Sequence, residues 1–227
     1  MTSYSGTHYS PQLGTVDNFF NSSIDGGKSF TGSQIYHGGI SEIGFSFDLE
    51  GKLWAVGRNE DGDFESNWGS RLFTATSEEN YSIWKPTEEI SDPVIYESPR
   101  FFRHGNEIYM IARTDPDGPF YTGIRRFKNR PALRHILDLG LFSTRAHGTA
   151  LYKLDKHGEK IEFVDFLPGC GDTAFASIVR LGKHKFRVVN YSSPWMLHED
   201  CSEWSWVKGQ VHPDGTLLYV VDIEFEK

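Results

Sequence analysis

NSSIDGGKSF (residues 21–30) sets Ser23, Asp25, Gly27, Ser29 and Phe30 in the order S-x-D-x-G-x-S-F. A carboxylate two residues into a tight turn accepts hydrogen bonds from the turn's own backbone N–H groups. Gly26 and Gly27 supply torsions that other residues resist. Ser23 and Ser29 add short side-chain bonds, and Phe30 is expected to drop into the packing of the sheet. Such a turn closes on itself and needs no ligand to explain it. What gives it weight is repetition. Ser77 to Trp84 lies over Ser23 to Phe30 without a gap: Ser77 falls on Ser23, Glu79 on Asp25 and Trp84 on Phe30, with Tyr81 where a glycine is expected. A weaker third copy, residues 153–158, centres on Asp155.

Between these turns runs a second rhythm. EIGFSFDLEGKLWAVGR (42–58), SPRFFRHGNEIYMIAR (98–113) and ASIVRLGKHKFRVVNY (176–191) each read as an alternating strand, a tight polar turn and a second apolar strand. VHPDGTLLYVVDIEF (211–225) reads as a fourth hairpin with Asp214-Gly215 at its turn. Taking Leu53, Ile108, Phe186 and Leu217 as equivalent gives separations of 55, 78 and 31, too irregular for a solenoid. Four short strands in units of roughly 50 residues are the pattern of a β-propeller blade. The expected class is therefore all-β, one propeller domain over 1–227, with units near 1–38, 39–92, 93–168 and 169–227. The aromatic content of 15% and the 23 glycines suit short strands and tight turns. Residues 131–141, PALRHILDLGL, fit either a turn or two of helix or an extra strand.

Composition removes several function classes. A formal charge of −8 argues against general nucleic-acid binding, and the cluster Arg125, Arg126, Lys128 and Arg130 reads as a solvated strand or loop. No apolar run approaches the roughly 20 residues that span a bilayer, and the first ten residues carry no signal-peptide core. Two cysteines, Cys170 and Cys201, are too few for a disulfide framework; free thiols are the blander reading, and whether the two pair is left open. Sequons at Asn21, Asn80 and Asn190 are compatible with secretion without establishing a compartment. The nine histidines show no zinc-binding spacing, so neither metal nor cofactor is expected.

SSIDGGKSF is similar to the Asp box of sialidases and related propellers, whose pattern is S-x-D-x-G-x-T-W. The resemblance implies a sialidase-like propeller of four-stranded antiparallel blades, with the Asp box structural and away from the active site. A six-bladed form needs on the order of 300 residues, so about four to five blades are expected here, an incomplete propeller. It also implies a chemistry in which a Tyr nucleophile replaces the usual carboxylate, arginines grip a substrate carboxylate with bidentate geometry, and an Asp moves a proton.

SEIGFSFDLEGKLWAVGRNED resembles the sialidase segment in which a Glu opens one strand and an Arg closes the next. Glu42 and Arg58 stand 16 positions apart, so a hairpin brings both to one end of the blade. On this resemblance Glu42 is the candidate catalytic group and Arg58 a substrate-binding one. Arg145, ten residues before Asp155, matches a further arginine of the family, and Arg100 in ESPRFF is a rival for the same role. GDTAFASIVRLG resembles the segment that bears the nucleophile, yet Phe175 occupies the tyrosine's place. Tyr191, at the far end of the second strand, is not read as its substitute. Without a phenolic oxygen the covalent route fails. The expectation is a partial anionic-sugar site without full sialidase activity, its partner a carboxylate-bearing sugar or glycan. The alternatives are an active propeller-type glycoside hydrolase and a non-catalytic interaction platform.

Overall fold

The computed structural model describes residues 1–6, 16–37, 40–59, 69–92, 94–115, 131–157, 160–194, 201 and 204–226. Among them, fourteen strands form four antiparallel sheets, each following the order of the chain. Sheet one holds β1 (Thr2–Gly6), β2 (Val16–Ser22) and β3 (Thr31–His37). Sheet two holds β4 (Ile40–Phe47), β5 (Leu53–Asn59), β6 (Ser70–Ala75) and β7 (Lys85–Asp92). Sheet three holds β8 (Glu97–His104), β9 (Glu107–Thr114), β10 (Gly148–Asp155) and β11 (Lys160–Cys170). Sheet four holds β12 (Ser177–Arg180), β13 (Lys185–Ser192) and β14 (Leu217–Glu224). Helix α1 (Pro131–Thr144) joins β9 to β10, and the short α2 (Trp206–Gln210) precedes β14.

The sheets stack face to face because their central strands are apolar on both sides. Successive side chains of a strand point to opposite faces. In β5, Leu53 and Ala55 join a core with Ile40, Phe73, Trp84 and, from sheet one, Phe20. The intervening Trp54 and Val56 join a second core with Tyr96, Met110 and Tyr152 of sheet three. In β9 the alternation repeats: Ile108 and Met110 face sheet two, while Tyr109 and Ile111 pack with Phe186 and Val188 of sheet four. Three cores thus lie between four sheets, the packing of propeller blades.

The repeated turns all occupy one place, the last hairpin of their sheet: β2–β3, β6–β7 and β10–β11. Asp25 accepts the amides of Lys28 and Ser29 at 3.0 Å each and the Ser29 hydroxyl at 2.6 Å. Ser23 Oγ donates to Asp25 and accepts the Gly27 amide, both at 2.8 Å.

The other copies depart from the expectation in specific ways. Phe30 is 50% exposed and stays out of the core, lying beside Gly27 instead, because among the described residues its sheet has a packed neighbour on one face only. Trp84, between two sheets, is buried against Phe20, Phe45 and Phe73. Glu79 pairs with Lys85 at 3.0 Å; its turn is closed by backbone bonds, with Asn80 and Tyr81 left-handed (φ 51° and 55°). Asp155 accepts the His157 amide at 3.0 Å.

Two further expectations are corrected, and the choice left open at 131–141 falls to helix. Residues 211–216 form a turn between α2 and β14, so Asp214-Gly215 is no strand hairpin and Leu217 simply opens the third strand of its sheet. Cys170 and Cys201 form a disulfide, their Cα atoms 5.3 Å apart, because the chain returns beside the end of β11, where Gly148 leaves room for Cys201. Residues 131–144 are helical. The sequon at Asn190 is buried, its amide donating to the Tyr219 hydroxyl at 3.0 Å. The cluster Arg125–Arg130 lies outside the described residues.

Candidate functional site

Sheets two and three begin with the same irregularity. The register of β4 on β5 breaks between Ser41 and Gly44, and that of β8 on β9 breaks between Glu97 and Arg100. Inside these breaks stand Glu42 (φ 47°) and Ser98 (φ 50°); Phe175 (φ 57°) precedes β12 at the corresponding point of sheet four. A non-glycine residue in the left-handed region costs on the order of 1–3 kcal/mol and persists only where its surroundings enforce it. Sheets two and three approach closely beside these breaks: a Cβ on Gly44 would stand 2.3 Å from the Pro99 carbonyl oxygen. Of the five non-glycine residues with left-handed φ among the described residues, these three line one cleft of about 340 Å³, with Tyr4 and Asn18 from sheet one and Arg100 from β8, while Asn80 and Tyr81 lie in the turn at 77–84.

Beside the cleft, acids and bases alternate across three sheets. Glu42 Oε2 accepts the Ser98 amide at 2.9 Å, the Ser98 hydroxyl at 3.2 Å and Arg58 Nη1 at 3.3 Å. The other end of the Arg58 guanidinium is 3.2 Å from Glu97 Oε1. Glu97 also takes Arg113 Nε, and Arg113 Nη1 lies 3.7 Å from Asp172 Oδ1. Asp172 in turn accepts from Tyr191 at 3.4 Å and from Gln210. Phe142 of α1 lies beside both guanidiniums, its ring centre 5.3 Å from each.

Protonation follows from these neighbours. Burial pushes the Glu97 carboxyl up, and the Arg113 and Arg58 charges together overcome it, leaving the group below its ordinary value. Burial lowers the pKa of His147, against the opposing pull of Glu97. Its Nε2 is 2.8 Å from the Phe142 carbonyl, so the neutral ring carries its proton there and leaves Nδ1 3.8 Å from Glu97. Burial, then the Asp172 charge, pushes the Tyr191 hydroxyl up to about 12. Among the described residues no group of three or more His, Cys, Asp or Glu is arranged to hold a metal ion.

Glu42 and Arg58 are brought together, but the Arg58 guanidinium is held between two carboxylates. Arg100 is exposed at the cleft, 5.8 Å from the centre of the Phe175 ring. Arg145 follows α1, is ion-paired with Asp115, and does not line the cleft. Sequence reasoning passed over Glu97, Arg113 and Asp172, and weighed Tyr191 only to set it aside. The signal for Arg113 was present, since overlaying 98–113 on 42–58 puts it at the place of Arg58. Tyr191 was set aside for standing at the far end of β13, yet the β12–β13 hairpin folds that end back beside residues 172–175.

No protein-family model and no curated protein sequence matches the chain. Solved structures match it in shape. A protein of unknown function from Dyadobacter fermentans superposes with a TM-score of 0.57 at 10% identity, over 100% of this chain and 50% of that one. The endosialidase of phage phi92 gives 0.54 at 14% identity, over 100% and 33%. A Trypanosoma rangeli sialidase mutant displaying trans-sialidase activity gives 0.52 at 12% identity, over 92% and 27%. The likeness is one of fold. The chain has the all-β architecture of propeller glycoside hydrolases and spans half or less of the length of each of these proteins.

Proposed function

We propose that the chain is a sugar-binding protein of the sialidase-like propeller type, and that an acidic sugar seats in the cleft lined by Glu42, Arg100 and Phe175. The observation that carries this reading is the convergence of three strained residues, Glu42, Ser98 and Phe175, on a single cleft. Backbone strain repeated at one point of three sheets needs a reason beyond folding. In this reading Arg100 meets the anionic group, with a guanidinium fork suited to a carboxylate. Glu42, held by three donors on one oxygen, accepts a sugar hydroxyl. Phe175 and Tyr4 give the apolar face of the ring a surface to lie on. Arg58 serves to hold Glu42 in place, and Arg145, ion-paired with Asp115 outside the cleft, is given no contact with the sugar. Phe175 carries no nucleophile, so the covalent tyrosine route is not assigned to this chain.

Calorimetric titration with N-acetylneuraminate tests the reading. Binding is expected, weakened about tenfold or more by Arg100→Ala, the loss of one charge-assisted contact. No binding, or binding indifferent to both Arg100→Ala and Glu42→Gln, overturns it. A second reading, glycoside hydrolysis, is favoured by Glu42 and Asp172 belonging to one chain of linked acids and bases, since hydrolysis ordinarily needs two carboxylates. Release of a fluorophore from a sialoside, abolished by Glu42→Gln, would establish it in place of simple binding.

A further inference from the structure

Strands β8 and β12 begin beside the cleft, near Ser98 and Phe175; at their other ends the same two sheets meet through a pair of histidines. His104 closes β8 and His184 closes the β12–β13 turn, with His104 Nε2 2.8 Å from His184 Nδ1. Phe225, just after β14, completes a clasp. Its ring stacks on His104 with centres 4.4 Å apart and planes at 14°, and its amide donates to the His184 carbonyl at 2.9 Å. Inward of the clasp lies the core that Phe102 and Tyr109 share with Phe186 and Val188. The two facing nitrogens hold one proton between them. A neutral imidazole donates from one nitrogen and accepts at the other, whereas an imidazolium donates from both. One charge on the pair still leaves a donor facing an acceptor. A second sets two N–H groups against each other, and the bond is lost.

We propose that this histidine pair is a pH-sensitive joint between sheets three and four, closed at neutral pH and opened by acid. The surroundings oppose even the first charge. Arg180 of β12 and Lys183 of the β12–β13 turn are the cations that act on His104, and Arg180 is tied in place by the Arg103 carbonyl of β8. The neighbouring acids are engaged elsewhere: Glu107 of β9 with Lys153 at 3.1 Å, and Asp222 of β14 with Lys185 and Arg187. Glu224 stands opposite Lys185 in the β13–β14 register, and Glu226 is exposed. Burial, then the His184, Arg180 and Lys183 charges, holds the His104 pKa below its ordinary value near 6.5. Among the described residues no third His, Cys, Asp or Glu joins the pair to form a metal site. A histidine whose folded pKa is depressed contributes stability that is present above its unfolded value and lost as pH falls through the folded one. Acid therefore loosens the joint below about pH 6.5. The core inward of the clasp keeps the sheets together, so the opening is local, releasing the His184 ring and the Phe225 amide.

Imidazole nitrogen spectra and amide hydrogen exchange on the full 227-residue chain read the joint without any substitution. His104 should titrate below about 6.5. The Phe225 amide, corrected for the intrinsic effect of pH, should exchange about tenfold faster at about pH 5 than at about pH 7.5, since one pKa unit is a factor of ten in the open population. The Tyr81 amide, bonded to the Thr76 carbonyl beside sheet two, should show no such change. His104→Phe keeps an aromatic ring on Phe225 and removes the proton, so the acid response at Phe225 should disappear. A His104 that titrates at or above about 6.5 overturns the proposal, as does a Phe225 amide indifferent to pH. An acid response that persists in His104→Phe does the same, and the wild-type measurements decide the matter if that variant does not fold.

Discussion

The turn at 21–30 and the inner rim at Glu42, Ser98 and Phe175 place unusual backbone at two ends of the same kind of unit, and they do so by opposite means. The turn uses glycine: Gly26 and Gly27 take φ of 75° and 87°, and the single carboxylate of Asp25 is used up by its own loop. The rim uses residues that resist the left-handed region, and their side chains meet across sheets at a shared cleft. A structural turn is satisfied locally and tolerates exposure. The rim presents groups that its own loop does not consume. The contrast separates a motif that signals fold from the residues to which the proposed sugar site is assigned.

The heaviest blow to the rim would fall on Glu97. Replacing it by Ala leaves Arg58 and Arg113 buried without their shared carboxylate, a loss of about 3–5 kcal/mol for a broken buried pair. Urea unfolding measures it; a change below about 1 kcal/mol would mean the alternating acids and bases do not hold the sheets together. The contrast in strain is tested by a mirrored pair of substitutions. Gly27→Ala should cost about 1 kcal/mol or more, since alanine resists φ of 87°. Phe175→Gly, at an exposed position with φ 57°, should raise stability by about 1 kcal/mol as strain is released. Equal signs for the two would remove the distinction.

Smaller effects appear only in titration. Tyr191 should ionise near 12 in an ultraviolet pH titration, and Asp172→Asn should bring it down towards the ordinary tyrosine value. A tyrosine whose folded pKa is raised contributes stability below its unfolded value near 10, lost as pH rises through about 12. Alkaline unfolding should therefore begin in this window and shift when Tyr191 is replaced by Phe. The least consequence belongs to Asp25. The Ser29 hydroxyl and amide, with Ser23 and Lys28, hold its carboxyl well below the usual range. Its contribution is present above the unfolded aspartate pKa and is lost only under strong acid. Asp25→Asn should speed hydrogen exchange at Lys28 and Ser29 while leaving the amides of Ser98 and Phe175 unaffected.

The fold was legible because its signals are local. Two-residue alternation in β5 and β9, glycine at the hairpin turns and an echoed Asp-centred loop all act within a dozen residues. The pairing of Glu42 with Arg58 was legible for the same reason, since one hairpin joins them. Contacts between sheets were not. Glu97 draws its importance from Arg58 of the preceding sheet, and Glu42 is fixed by Ser98, 56 positions away. The place of Phe30 was misread because burial depends on whether a neighbouring sheet covers it, which a turn's own sequence does not encode. Strain at Glu42, Ser98 and Phe175 leaves no compositional mark, for these residue types do not themselves favour the left-handed conformation.

The central claim, that the rim binds and the outer turn only folds, is tested most directly by mapping backbone amide shifts while N-acetylneuraminate is added. Saturable shifts at Ser98, Arg100 and Phe175, with Lys28 and Ser29 unmoved, are the predicted result. Shifts centred on the 21–30 turn, or none at the rim at saturating sugar, would contradict it.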